Sequence, residues 1–228
     1  MAGRYSASPS SSWHGDEPLG TGKQRILVVG ATGTIGGPVA ALLQKAHEVV
    51  KIARTGGDIR MDALSVESIG AMYAKAGPFD ALVVLMGRGV VGSIGTLSEQ
   101  DFINAFVLKT MAQINLVRLG LRTIRPGGSF TLTGGFLSKE PIPNFSAVAM
   151  ANGAIEAFCR ACALDLENDV RINCVSPVFV IESLRDRDTS SRNLVTQSAA
   201  DTARAYQFAV EGDFTGKDID PRLVAGTQ

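Results

Sequence analysis

The sequence predicts an α/β fold in which a doubly wound parallel sheet of about seven strands forms a single domain. From residue 25 onward, short apolar segments alternate with longer helix-like segments, which is the βαβ rhythm of a parallel sheet. The first apolar segment, residues 26–29, runs directly into glycines and then into a helical pattern, as in the first βα unit of such sheets. A length of 228 residues fits one domain of this class.

Hydrophobic periodicity and breaker residues place the individual elements. The predicted strands cover residues 25–30, 48–53, 79–86, 129–133, 170–175 and 214–219. The predicted helices cover residues 35–46, 65–76, 98–125, 146–167 and 196–211, with Ser98 and Asp101 as an N-terminal cap. Residues 1–22 are rich in Ser, Gly and Pro, so we expect a flexible tail followed by a domain that spans residues 23–228.

Composition excludes several classes of partner. The chain carries 22 basic and 22 acidic residues, and this balance argues against nucleic acid or an anionic membrane as the main partner. The apolar stretches are too short to span a bilayer and no signal core is evident, which favours a cytoplasmic protein. Cys159, Cys162 and Cys174 give an odd count without nearby histidines, and we expect buried thiols and no metal site.

The glycines after the first strand predict where an anionic ligand binds. Glycines at such a turn let the backbone approach a pyrophosphate, and the N–H groups of the following helix face its charge. The alternative is an ordinary strand-to-helix turn. The residues predicted to contact a dinucleotide here are Gly30, Thr32, Gly33, Thr34, Ile35 and Gly36.

Two segments near the C-terminus resemble the short-chain dehydrogenase/reductase family. Residues 161–177 end a helix and begin a strand at Arg171 in a pattern similar to that family's Ala-x-Glu-Leu helix end and Arg-Val-Asn-x-Val-x-Pro-Gly strand. Residues 214–216 resemble the Thr-Gly before the family's last strand. The resemblance runs from about residue 24 to 220 and implies a Rossmann-type fold, a nicotinamide cofactor and a small-molecule substrate.

The nature of the residues after the second strand favours NADP(H) over NAD(H). Arg54 and Thr55 stand where dinucleotide folds contact the adenosine ribose, and an arginine there offers several donors to a 2′-phosphate. The alternative for Arg54 is a solvated strand end. By resemblance, Asp62 matches an aspartate that contacts adenine, and Met86 and Gly87 fall near the cofactor after the strand at 79–86.

The family's usual catalytic residues are absent from the matching positions. The resemblance implies a Tyr, a Lys four residues later, a Ser and an Asn. Aligned from residues 163–166, the Tyr position falls on Val148 and the Lys position on Asn152, while the Ser position falls on Gly134 or Gly135 and the Asn position on Lys109. The candidate replacements are Lys109, whose buried ammonium could donate a proton, then Thr133 and Ser138. For each of these the alternative is a purely structural role.

Three functions remain open from the sequence. The first is an NADP(H)-dependent oxidoreductase that acts on a carbonyl, an imine or an enone with a non-standard proton donor. The second is a non-redox enzyme on the same scaffold, a cyclase or isomerase of secondary metabolism, and the third is a cofactor-binding pseudoenzyme. By resemblance we also expect a homodimer or homotetramer that pairs through helices near residues 105–124 and 146–167.

Overall fold

A seven-stranded parallel sheet forms the centre of the protein. The computed structural model describes residues 22–87, 89–167, 169–184 and 194–224. The strands of this sheet are β1 (Arg25–Val29), β2 (Glu48–Ala53), β3 (Ile59–Arg60), β4 (Phe79–Val84), β5 (Ile124–Thr133), β6 (Arg171–Val175) and β9 (Asp218–Ile219). Their spatial order is β3-β2-β1-β4-β5-β6-β9, and a separate parallel pair consists of β7 (Phe179–Val180) and β8 (Thr196–Gln197).

Helices connect the strands and cover both faces of the sheet. The α-helices of the described residues are α1 (Gly36–Leu43), α2 (Val66–Ala76), α3 (Glu99–Ala105), α4 (Ala112–Gly120), α5 (Ser146–Asp165), α6 (Ile181–Leu184), α7 (Ala199–Glu211) and α8 (Pro221–Val224). A π-helical segment, Phe106–Met111, joins α3 to α4, and a 3₁₀ turn, Phe136–Ser138, follows β5. The predicted cap of α3 is confirmed, since Ser98 and Asp101 form a capping box.

Alternation along the buried strands explains why both faces are covered. In β1, Leu27 packs into the core formed with α2, α4 and α5, whereas Ile26 and Val28 pack into the core formed with α1 and α7. Successive side chains of a strand point to opposite faces, so a strand that is apolar at every position needs a layer of helices on each side. The run at residues 26–29 therefore lies in the middle of the sheet.

The order of the strands creates a crevice above β1 and β4. From β1 the chain builds β2 and β3 on one side, and it then returns to place β4 on the other side of β1. In open α/β sheets the connections diverge at such a point, and ligands bind at the carboxyl ends of the two central strands. The glycine turn after β1 opens into this crevice.

The predicted fold class, with about seven strands in one domain, is confirmed, while several boundaries were wrong. The long helix ends at Gly120 rather than near residue 125, because the chain is extended from Ile124, which pairs with Phe79. The last helix begins at Ala199 rather than 196, since Ser198 caps it and residues 196–197 pair with β7. The predicted strand at 214–219 is reduced to Asp218–Ile219, and the two-residue β3 and β7 were missed. The predicted tail, apart from Gly22, lies outside the described residues.

Helix α5 corrects one expectation from the sequence. Its 20 residues are long and apolar enough, by length and composition, to cross a membrane. In the fold one side of it packs on the sheet: Ile155 and Cys159 are buried in the core, and α5 contacts β6. Cys159 and Cys174 are buried free thiols as expected, while Cys162 is half-buried.

Two glycines make a matched pair for testing the turn after β1. A Cβ at Gly36 would lie 1.9 Å from the carbonyl oxygen of Gly30, whereas a Cβ at Gly70, in α2, would meet nothing within 4 Å. We expect Gly36→Ala to lower the free energy of unfolding by at least about 2 kcal/mol through this clash. Gly70→Ala should raise it by about 0.5–1 kcal/mol because alanine favours the helix. Urea unfolding measures both, and equal effects would contradict the observed packing.

Candidate active site and cofactor cleft

The turn after β1 is built so tightly that side chains are excluded from it. Gly30 has a φ of +84°, and a Cβ there would lie 2.2 Å from the carbonyl oxygen of Leu85. The amide of Gly33 donates to the carbonyl of Gly30 over 2.9 Å, which closes the turn just before α1. No side chains of the described residues therefore cover the backbone at the N-terminal end of α1. A phosphate group there can accept from backbone N–H groups and is stabilised by the helix dipole.

A cleft of about 420 Å³ runs from this turn along the carboxyl ends of β1, β2 and β4. Its polar side chains are few, and most of its wall is backbone and aliphatic surface. The lining residues are Val29, Gly30, Thr32, Gly33, Ala53, Arg54, Met61, Asp62, Ala63, Leu64, Leu85, Met86, Gly87 and Leu108. The shape is an elongated groove with a glycine turn in the middle and an arginine at one end.

Most residues predicted for cofactor binding lie together in this cleft. Those that line it are Gly30, Thr32, Gly33, Arg54, Asp62, Met86 and Gly87. Ile35 lines a neighbouring pocket, and Gly36 is buried beneath the turn. Thr34 and Thr55 are exposed and line neither cavity.

The charged groups at the β2 end of the cleft have free hydrogen-bonding capacity. Arg54 is exposed, and within the described residues its guanidinium has no hydrogen-bond or ion-pair partner. One carboxylate oxygen of Asp62 accepts from the amide of Leu64 over 3.0 Å, and its other oxygen remains available. This end of the cleft therefore offers one cation and one acceptor to a ligand.

A second pocket of about 200 Å³ lies above the end of β5, and Lys109, one of its lining residues, packs on Gly87 of the cleft. Apart from Lys109, Thr133 and Asn152 its side chains are apolar, and no tyrosine is among the described residues that line it. The lining residues are Ile35, Lys109, Thr133, Gly134, Gly135, Phe136, Leu137, Val148, Asn152, Pro177, Val178 and Phe179. Such a pocket suits an apolar ligand that presents one polar group.

Lys109 reaches this pocket from the π-helical segment between α3 and α4. Its Nζ donates to the carbonyl oxygen of Gly134 over 2.7 Å and to the Oδ1 atom of Asn152 on α5. The aliphatic part of Lys109 packs on Gly87, where a Cβ would lie 2.6 Å from Cγ of the lysine. π-Helical turns within α-helices are frequent at functional sites, and here the turn aims a long side chain across the pocket.

Burial changes the acidity of this lysine. Loss of hydration lowers the pKa of the Lys109 ammonium to about 8, although the nearby Cys174 and Glu156 act in the opposite direction. With two of its three N–H groups engaged, one remains for a ligand. The pocket therefore contains an acid whose pKa lies near neutrality.

The other two predicted catalytic residues are placed differently. Thr133 lines the pocket, but its hydroxyl is within 2.6 Å of the carbonyl oxygen of Val84 and 2.8 Å of the Tyr206 hydroxyl. Ser138 does not line the pocket, because its hydroxyl turns away toward the buried carboxylate of Glu156. Of the three candidates, only Lys109 has a donor free to face a ligand.

Sequence reasoning missed three side chains that organise the site. Gln113 is fully buried and joins the ends of two strands, since its amide donates to the carbonyl oxygens of Met86 and Thr133 and accepts from the amide of Thr133. Tyr206 is fully buried on α7, and its hydroxyl lies within hydrogen-bond distance of Thr133. Burial raises the pKa of this phenol well above its usual value. The third is Glu156 on α5, and no local pattern in the sequence predicts that any of the three is buried beside the site.

Comparison with known proteins assigns the family. A family model described as "Enoyl-(Acyl carrier protein) reductase" matches residues 28–209, which is most of the chain and includes the glycine turn and the Lys109 pocket. The chain belongs to the short-chain dehydrogenase/reductase family. The predicted resemblance is therefore confirmed, and homologues of the chain are oxidoreductases.

Among known proteins, the protein lin1944 from Listeria innocua has a similar structure, with a TM-score of 0.82 and 35% identity over 86% of this chain and 98% of that one. A small-chain dehydrogenase in complex with NADPH gives a TM-score of 0.77 and 27% identity over 87% and 96%. The enoyl-[acyl-carrier-protein] reductase [NADH] of Rickettsia bellii is 27% identical over 70% of this chain. The match spans 64% of that enzyme's length, and 42% and 46% of two further curated relatives.

Lys109 and Asn152, which the sequence predicts to stand at the family's Asn and Lys positions, lie in direct contact, since their side chains are hydrogen bonded to each other. If that prediction is right, the ammonium enters the pocket from the opposite helix. Val148, predicted to stand at the Tyr position, lines the pocket, and a Cβ at Gly89 would lie 2.8 Å from it.

Proposed function

We propose that the protein is an NADP(H)-dependent oxidoreductase that reduces a carbonyl or an activated double bond of a small organic substrate. The observation that carries this proposal is the proximity of two cavities. The side chain of Lys109, whose ammonium lies in the pocket, packs on Gly87, which lines the groove that contains the glycine turn. A hydride donor bound in the groove and the proton donor in the pocket can therefore react with the same substrate.

The groove fits a dinucleotide that carries a 2′-phosphate. The cradle at Gly30 and Gly33 has no room for side chains and exposes N–H groups for a pyrophosphate. At the β2 end the free guanidinium of Arg54 matches a phosphate, whereas an acidic residue would match a ribose hydroxyl. The NADPH complex of the similar dehydrogenase supports this choice, although the Rickettsia relative is named for NADH.

Lys109 would supply the proton. When bound, the nicotinamide supplies a hydride to the substrate carbon, and the negative charge then develops on the substrate oxygen. In the family a phenol with a pKa near 10 needs a neighbouring lysine to become an effective acid. A lysine whose pKa is about 8 already lies near the working pH, so Lys109 can stabilise the oxyanion and protonate it without a phenol.

A panel of ring ketones, enones and imines tests the proposal. We expect NADPH absorbance to decay with at least one of these compounds and more slowly with NADH at equal concentration. NADPH binding without turnover of any panel member would favour the pseudoenzyme, and product formation without NADP(H) would favour the non-redox enzyme.

The pH dependence of reduction follows from the acidity of Lys109. The protonated ammonium is the active form, so kcat/KM for the reduction should be constant below about pH 8 and decline above it as the proton is lost. The decline should reach about tenfold per pH unit, because kcat/KM reports the ionisation of the free enzyme. A kcat/KM that stays constant above about pH 8 would contradict the assignment of Lys109 as the acid. The control is the affinity for NADPH, which should not decline above about pH 8 as kcat/KM does.

We also propose that the protein is a homo-oligomer that pairs through α4 and α5. Met150 and Leu164 are large apolar side chains on α5 that are 40% and 88% exposed, and Val107 is 41% exposed beside α4. Burying these side chains against a second copy would remove them from water. Sedimentation analysis should show a dimer or tetramer, and Leu164→Glu should shift it toward the monomer.

A further inference from the structure

A buried carboxylate lies behind the Lys109 pocket. Glu156 is 5% exposed and sits one helical turn after Asn152, on the same face of α5. Its Oε1 atom accepts a hydrogen bond from Ser138 and lies 3.2 Å from the hydroxyl oxygen of Ser176. In the part of the chain that the structure describes, both partners are hydroxyls and no cation is within ion-pair distance. Burying a carboxylate is costly unless a positive charge compensates it.

Gly134 separates this carboxylate from Lys109 and brings the two close. The carbonyl of Gly134 accepts from the lysine Nζ over 2.7 Å. A Cβ on the same residue would lie 3.4 Å from Oε1 of Glu156 and 3.0 Å from the hydroxyl of Ser176. The carboxylate and the ammonium therefore flank one glycine, and a Cβ at this position would clash with the thiol of Cys174, 2.8 Å away, and crowd the hydroxyl of Ser176.

Two other charged groups lie in this region. Lys139 lies on the loop after β5 and pairs with Asp218 of β9, whose other oxygen accepts from Ser176 over 2.6 Å. On β6, the thiol of Cys174 lies near the same glycine. Cys174 and Glu156 both oppose the lowering of the Lys109 pKa by dehydration, and Glu156, which also acts to raise the pKa of Lys139, is the carboxylate of the two.

We propose that Glu156 is the buried counter-charge of Lys109, a positioning residue that keeps the ammonium protonated in the ligand-free pocket at neutral pH. Its effect on turnover rests on the reductase function proposed above, but the coupling between the two charges does not. At a pocket with no tyrosine among its described lining residues, this carboxylate sets the fraction of Lys109 that is protonated before a substrate binds.

Competitive labelling of Lys109 with acetic anhydride, read by mass spectrometry as a function of pH, tests the coupling without any substrate. Only the neutral amine reacts, so Glu156→Gln should raise labelling of Lys109 at neutral pH about fivefold and move its midpoint to lower pH. The carbonyl oxygen of the glutamine can still accept from Ser138. Asp218→Asn removes the other carboxylate of the cluster and should change labelling less than about twofold.

Unchanged labelling in a folded Glu156→Gln variant would overturn the proposal, as would an equal response in Asp218→Asn. A double-mutant cycle of unfolding free energies, measured in urea, tests the coupling independently of labelling. Removing Lys109 leaves the carboxylate unpaired, so Glu156→Gln should destabilise the Lys109→Met background less than the wild type. Equal destabilisation in both backgrounds would also overturn it. Neither assay depends on turnover, so an inactive wild-type enzyme would contradict the proposed function while leaving the coupling testable.

Discussion

Lys109→Met is expected to lower kcat/KM for NADPH-dependent reduction by at least about 100-fold, the usual contribution of a general acid. Methionine fills similar space but has no proton to give and no charge for the developing oxyanion. Lys109 is the titratable side chain among the described residues that line the pocket, so no lining neighbour replaces its proton. NADPH affinity, measured by fluorescence titration, should stay within about twofold because the groove is unchanged.

Two controls separate loss of the acid from loss of structure. Lys139→Met removes an ammonium that is paired with Asp218 on the neighbouring loop, and it should retain most of the activity. The reciprocal variant, Lys109→Asn with Asn152→Lys, returns the ammonium to α5 and should recover part of the rate lost in Lys109→Asn alone. Full activity in Lys109→Met would show that the proton comes from elsewhere.

Arg54→Ala is expected to weaken NADPH binding about 30-fold, which corresponds to the loss of about 2 kcal/mol from a charge-assisted phosphate contact. NADH has no 2′-phosphate, so its affinity should change less than about twofold. The preference for NADPH over NADH should therefore nearly vanish in the variant. Calorimetric titration of both cofactors measures the effect directly.

Arg60→Ala is the matched control for this substitution. Arg60 lies on β3, beside the end of β2, and is exposed like Arg54, but it does not line the cleft. Its removal should leave both affinities within about twofold. Equal affinity of the wild type for NADPH and NADH, or an equal loss in the two arginine variants, would contradict the assignment of Arg54.

The long apolar elements of this fold could be predicted from the sequence because the spacing of their apolar residues indicates which faces are buried. Residues 26–29 are apolar at every position, as a central strand covered on both faces requires, and β2 was bounded correctly. Two-residue strands such as β3 and β7 carry no such signal, since their pairing is set by the neighbouring strand. The early end of the long helix at Gly120 depends on the pairing of Ile124 with Phe79, a contact between distant segments.

The separate parts of the candidate site could be predicted from the sequence, but their contacts with one another could not. Local patterns indicated the glycine turn and Arg54, while resemblance to the family indicated Asp62 and predicted that the usual phenol is missing. The contact between Lys109 and Asn152 joins residues 43 positions apart on two helices, and no local pattern encodes it. Glu156 and Tyr206 also reach the site through partners that are distant in sequence, 20 positions away for Ser176 and 73 for Thr133.

A structure with NADP⁺ and a simple aryl ketone bound tests the central claim most directly. We expect the ketone in the pocket above β5, with its oxygen within hydrogen-bond distance, about 3 Å, of Nζ of Lys109 and its carbonyl carbon facing the nicotinamide. A ketone oxygen held by another group, with Lys109 still bound only to Gly134 and Asn152, would contradict the account.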